Sequence, residues 1–240
     1  MRNTDRGATV NPATAGRDGD QSAVFTPENE PYLGCPGVQH FDEMIVLLME
    51  THHRIGPWSR GNTLNSLQGA VCQLAPQATS LLLGMRELLR QAYLLPAAVL
   101  LRPALERIAT LSWLCEHPDQ VHRWHEGWKH GDRPNLAKRM ESMHSRAGPR
   151  GDVEAGAREV RDHFNGLVHG DPDSANMGAI LLPDGQAGFS VSKDLGSPAR
   201  ASGLAFQGAM YATVLIARCN ECFPDAGREQ EVAPSPGSRS

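Results

Sequence analysis

The fold class this sequence predicts is all-α, a multi-helix bundle with one short β-hairpin between its last two helices. Three observations lead there. Apolar residues recur at spacings of three and four through most of the stretch from Val38 to Phe223, which is the period of one helix face. Strand-like residues gather only between Ala179 and Val191, too few and too short for a doubly wound sheet. No segment repeats at a fixed period, so a solenoid is excluded.

The domain is expected at residues 38–223. Residues 1–37 are rich in Arg, Asn, Thr, Gly, Asp and Pro with apolar residues scattered singly, and residues 224–240 have the same character. Such segments bury too little apolar surface to offset the entropy of ordering, so both read as disordered tails.

Taken in order, the first helix is expected from about Gln39, with Phe41, Met44, Ile45, Leu48 and Met49 on one face and Asp42, Glu43 and Glu50 elsewhere. Gly56-Pro57 is expected to end it, and Asn62 to cap a second helix that breaks at Pro76. From Gln77 the stripe Ala78, Leu81, Leu82, Met85, Leu88 and Leu89 is broad enough for a central helix. Another follows Leu95-Pro96, with Leu101, Leu105, Ile108, Leu111 and Cys115 inward and Pro103 as a kink, and His117-Pro118 closes it. Shorter helices are expected at Asp119 to Trp128 and from Pro134 to about Ser145, both polar outside. A longer one runs from the capping Asp152 to about Val168, with Val160, Phe164 and Leu167 inward. The hairpin is expected around Pro183-Asp184-Gly185. Ser197-Pro198 then opens a last helix that reaches Cys222.

The bulk charge narrows the function classes. A net charge of −4 leaves no global basic footprint, so any nucleic-acid contact has to come from a local patch. The polar N-terminus shows no apolar signal region, which makes the cytoplasm the expected compartment. The longest apolar run, Leu81 to Leu101, is interrupted by Arg86, Glu87 and Arg90, so no membrane span is expected. Five cysteines, an odd number, are expected as free thiols.

Four constellations could carry chemistry. Arg102 and Glu106, four apart on one helix face, are placed to pair. Exposed, that pair is a surface feature; beside the buried stripe, it is an acid and a base held against a ligand. Around the end of the Asp152 helix, Arg161, Asp162, His163, Asn165, His169 and Asp171 crowd together. His169, with an ordinary pKa near 6.5, is the candidate acid/base, and Asn165 or Asp171 would orient its ring, with His163 alongside as a binding residue. The alternative is that His169 only caps the last carbonyls of the helix. His117, His122, His125 and His130 form no complete metal set, and Trp124 and Trp128 among them more simply anchor a short helix. Cys219-Asn220-Glu221-Cys222 is a single C-x-x-C, read as structural or at most oxidation-prone. No metal or other cofactor is expected.

The order Arg-Pro-x-Leu-Glu at Arg102 to Glu106, followed by a helix ending in Asn165, three residues and His169-Gly170, resembles an uncharacterised bacterial helical-bundle family. That family is distantly similar to the HEPN superfamily, many of whose members are metal-independent ribonucleases in toxin, defence or RNA-processing systems. The resemblance covers roughly Gln77 to Pro172. It implies a homodimer whose cleft takes RNA, with His169 as acid/base and Arg102 or Arg161 steadying a phosphate. The spacing departs from the catalytic HEPN pattern, because Arg161 stands eight positions before His169 where that pattern has four to six. The likeness therefore bears on architecture more than on cleavage. The second expectation is a non-enzymatic binding or regulatory bundle that works with a partner protein, in which Arg102, Glu106, Asn165 and His169 hold the helices in register.

Overall fold

The computed structural model describes residues 30–129, 131–144, 159–160, 162–166, 179–181, 187–189, 193–194 and 196–226. The fold is an all-α bundle. Helices α1 (Pro36–Gly61), α2 (Ser66–Arg90) and α3 (Leu94–Glu116) are long; a 3₁₀ turn at Pro118–Gln120 leads into the short α4 (Val121–His125); then come α5 (Leu136–His144) and the long α6 (Pro198–Cys222). Residues 159–160 and 162–166 are also helical.

Local chemistry explains most of the boundaries. Asn65 caps α2 with a full capping box: its side chain accepts from Gln68 N at 2.9 Å, and the Gln68 side chain accepts from Asn65 N at 3.0 Å. The far end of α2 closes in a Schellman arrangement, with Tyr93 N donating to Leu88 O and Ala92 N to Leu89 O, and Ala92 at φ +64°. The chain reverses there within three residues, so α2 and α3 are forced to lie side by side. Asn135 accepts from Lys138 N at 2.9 Å and starts α5.

Two expected breaks are corrected: α1 runs through Gly56-Pro57 to Gly61 and α2 runs through Pro76, while Pro103 lies inside α3, where the sequence placed it. An interior proline costs about 3 kcal/mol of helix stability, an amount that the burial of two large side chains can offset at about 1.5–3 kcal/mol each. The last turn of α1 makes such contacts, because Trp58 meets Phe223 edge-on at 5.5 Å. Asn62, expected to cap α2, closes α1 by donating to Trp58 O at 2.9 Å. The segment expected at Asp119 to Trp128 is shorter and begins as a 3₁₀ turn. Ala179–Leu181 and Ala187–Phe189 lie antiparallel. A two-stranded ribbon of that length is marginal by itself, so it forms no layer of the fold and the hairpin stays an expectation.

The core is arranged around α3. α2, α5 and α6 all pack on it, and α1 packs chiefly on α6. Leu101, Leu105, Ile108, Leu111 and Leu114 of α3 are fully buried, together with Leu82, Met85 and Leu89 of α2. Residues ahead of the expected domain edge are docked as well. Tyr32 is 1% exposed, its hydroxyl donates to Asp194 O and accepts from Ser197 N at 3.2 Å, and Glu30 pairs with Arg90.

α1 and α6 approach closely where a glycine faces them. Gly37 N donates to Ser202 Oγ at 3.0 Å, and a Cβ on Gly37 would lie 2.8 Å from Ser202 Cα. We expect Gly37→Ala to cost about 1–3 kcal/mol in urea unfolding, because backbone has to move. Gly69→Ala, whose Cβ meets nothing within 4 Å, should gain about 0.5–1 kcal/mol from helix propensity. Equal effects from the two would show that the α1–α6 approach is not tight.

Candidate functional site

The first polar site is built on the flank of α3. Arg102 Nε donates to Glu106 Oε1 at 2.9 Å, one helical turn on, as the four-residue spacing allows. The guanidinium also reaches off the helix, with Nη1 donating to Asn165 Oδ1 at 3.0 Å. Two motifs 63 positions apart in the chain are thus joined by one hydrogen bond. Neither side chain of the ion pair is fully buried: Arg102 keeps 18% of its side-chain surface exposed and Glu106 33%. The pair sits at a rim, neither sealed in the core nor free in water.

Behind it lies Arg139 of α5, which sequence reasoning placed on a helix that is polar outside. It is 3% exposed. Its Nη1 donates to Thr110 Oγ1 at 2.6 Å and to Glu106 O at 3.3 Å, and its Nε to Pro134 O at 3.2 Å. Thr110 in turn donates to Glu106 O at 2.7 Å. Every one of these acceptors is a neutral oxygen, and among the described residues Arg139 has no carboxylate within ion-pair distance. Burial, helped by the nearby positive charges of Arg133 and Arg102 and opposed by Glu106, pulls its pKa down to about 10. The guanidinium is still charged at neutral pH. The signal that could have found it is its register: Leu136, Arg139, Met140 and Met143 fall at i, i+3, i+4 and i+7, so an arginine occupies a position of the buried stripe.

Among the groups that act on Arg139, Arg133 and Arg102 are positive and Glu106 is negative. Arg133 also lies over the Trp128 ring at 6.0 Å, which places a flat aromatic next to the cationic side. Such a cluster suits an anion, since planar guanidinium groups bind phosphate or carboxylate with directional donors.

Of the residues singled out from the sequence, the structure brings together Arg102, Glu106 and Asn165. His163 is exposed, with its ring 5.7 Å from that of the buried Phe164, and takes the outer side of the same helical piece. Arg161, His169 and Asp171 lie outside the described residues. Within the histidine group, His117 stacks on Trp113 at 3.7 Å and its Nδ1 meets Trp113 O at 3.0 Å, which gives it a packing role. Among the described residues, no three His, Cys, Asp or Glu side chains gather as a metal site would need, and no helix is long and apolar enough to cross a membrane. No family model, curated protein or solved structure matches this chain, so the HEPN likeness stays an expectation.

A double-mutant cycle tests the bridge from α3. Asn165→Ala should destabilise the fold by about 1–3 kcal/mol, the range for a lost hydrogen bond to a charged group, and should be non-additive with Arg102→Ala by at least about 0.5 kcal/mol in urea unfolding. Additive losses would mean that the two side chains are not coupled.

Proposed function

We propose that this protein is a HEPN-like helical bundle that engages RNA phosphates at the Arg102, Arg139 and Arg133 cluster and cleaves the strand there with His169 as acid/base. The observation that supports the reading is the buried Arg139 guanidinium, whose acceptors among the described residues are all neutral oxygens. A buried guanidinium held only by neutral acceptors is costly, and a phosphodiester bound at the neighbouring Arg102 rim would add negative charge close to it.

The chemistry asked of the residues is limited. The ribose 2′-hydroxyl attacks the adjacent phosphorus, the bond to the 5′-oxygen breaks, and a cyclic phosphate is left. His169 moves a proton in that exchange, and Arg102 steadies the charge on the phosphoryl oxygens. Glu106 and Asn165 fix the plane of the Arg102 guanidinium beforehand, so that its orientation is set before RNA arrives. Trp128 beside Arg133 offers a surface for base stacking. The reading takes the protein as a cytoplasmic homodimer with a defence or stress role, and it keeps the short hairpin between the last two helices.

A second reading is favoured by a specific contact pattern. Nε and Nη1 of Arg102 are both engaged, with Glu106 and Asn165, which is what a packing clamp needs. The bundle would then be a non-enzymatic binding or regulatory protein, held in register by that network.

Incubation of the purified protein with mixed RNAs in chelator separates the two readings. The first expects cleavage that falls by about a hundredfold or more in His169→Ala, as loss of a general acid/base predicts. It also expects RNA binding that weakens with salt and in Arg102→Ala. No cleavage by the wild type, or equal cleavage by wild type and His169→Ala, would sink it. The second reading expects no turnover but a clear fall in melting temperature for both Glu106→Ala and His169→Ala. Unchanged melting in both would remove the network as a structural clamp.

A further inference from the structure

At the opposite end of α3 from Arg102, two thiols meet across helices. Cys115 Sγ and Cys222 Sγ are 3.6 Å apart, one on the last turn of α3 and the other at the end of α6. The sequence showed Cys222 only within a C-x-x-C with Cys219, read as structural or at most oxidation-prone. The fold instead buries Cys219, where desolvation pushes its thiol up to about 12, and turns Cys222 toward Cys115. Both members of the cross-helix pair are only partly buried and line an opening of about 280 Å³ with Asn65, Gln68, Arg218 and Glu221. Small polar molecules can reach the sulfurs there.

The two sulfurs are not equivalent. Either thiol can be the donor in their contact; the hydrogen bond between them lowers the Cys222 pKa and, with burial, pushes the Cys115 thiol up. Arg218 stands beside them, 5% exposed. It is held by Glu221 at 2.8 Å, Glu116 at 3.5 Å and the Ser142 carbonyl at 2.5 Å; its positive charge favours the thiolate at both sulfurs, and the Glu221 carboxylate opposes it. An attacking thiolate, a protonated partner in contact and an opening to solvent are what a dithiol needs to react with an oxidant.

We infer that Cys115 and Cys222 form a reversible dithiol/disulfide site that is oxidised by small hydroperoxides, with Cys222 as the attacking sulfur and Cys115 as the resolving one. The Cys222 thiolate attacks the terminal oxygen of hydrogen peroxide. An S–O bond forms, the O–O bond breaks, and the departing hydroxide takes up a proton as water. Cys115 then attacks the sulfur of the sulfenic acid. The S–S bond forms, the S–O bond breaks, and the second hydroxide leaves as water with the Cys115 proton. Two thiols lose two electrons and one peroxide gains them. A disulfide bond length of about 2.05 Å asks the sulfurs to close by about 1.5 Å, and the product joins the ends of α3 and α6 covalently.

The test uses the full chain, reduced and then exposed to stoichiometric hydrogen peroxide, quenched by alkylation and mapped by mass spectrometry. Of the five thiols, two should be lost together and recovered as a Cys115–Cys222 cross-linked peptide that dithiothreitol reverses. Cys222 should react about tenfold or more faster than Cys35, which serves as a reference within the same molecule. In Cys115→Ser, Cys222 should stop as a sulfenic acid that dimedone traps; in Cys222→Ser, Cys115 should stay a thiol. Loss of Cys35 or Cys72 at the rate of Cys222 in the wild type, or a cross-link that does not join Cys115 to Cys222, overturns the inference without depending on any variant. Equal dimedone trapping in the two variants overturns the assignment of roles.

Discussion

The constraint on which the rest of the molecule depends is the enclosure of α3. α2, α5 and α6 all pack on it, and twelve of its residues are buried. A polar group on such a helix has little water to turn to, so hydrogen bonds within the protein matter most there, although Ser112 Oγ and Trp113 Nε1 of α3 are buried without a partner among the described residues. Thr110 donates to the Glu106 carbonyl one turn back, Glu106 takes the Arg102 guanidinium, and Arg139 comes in from α5 to the Thr110 hydroxyl. The polar cluster is thus a consequence of where α3 sits.

Two buried arginines tie the shorter elements to this frame. α5 has only nine residues, too few to be stable as a helix by itself in water. Arg139 fixes it to α3 at Thr110, and Arg218 reaches from α6 to the Ser142 carbonyl on the same short helix. Arg218 also approaches Glu116 at the end of α3 and neighbours the Cys115–Cys222 contact. The phosphate-suited cluster and the dithiol therefore lie on one central helix and share α5 as a common neighbour.

The fold was largely legible as a class and much less so in its joints. Periodicity identifies helices wherever a stripe is long, and the last helix reads correctly from Ser197-Pro198 to Cys222 because start and stop signals coincide with the stripe. Pro57 and Pro76 mislead, since local propensity says break while α1 and α2 run on through them. Asn62 and Asn65 are equally plausible caps by residue type. The choice of Asn65 turns on Gln68 three residues later, which completes the box.

What the sequence by itself determined is whatever depends on neighbours within about one helical turn: the helical period, the capping box, the Arg102–Glu106 pair and the polar stretch around Asn165. Only the tertiary structure decided which residues meet across helices. Arg102 joins Asn165, Arg139 is buried against α3, and Cys222 finds Cys115 in preference to the Cys219 of its own motif. The physical reason is that local spacing sets which side chains share a helix face. The rotation and axial shift between two packed helices decide which faces touch, and those arise from the fit of the whole core.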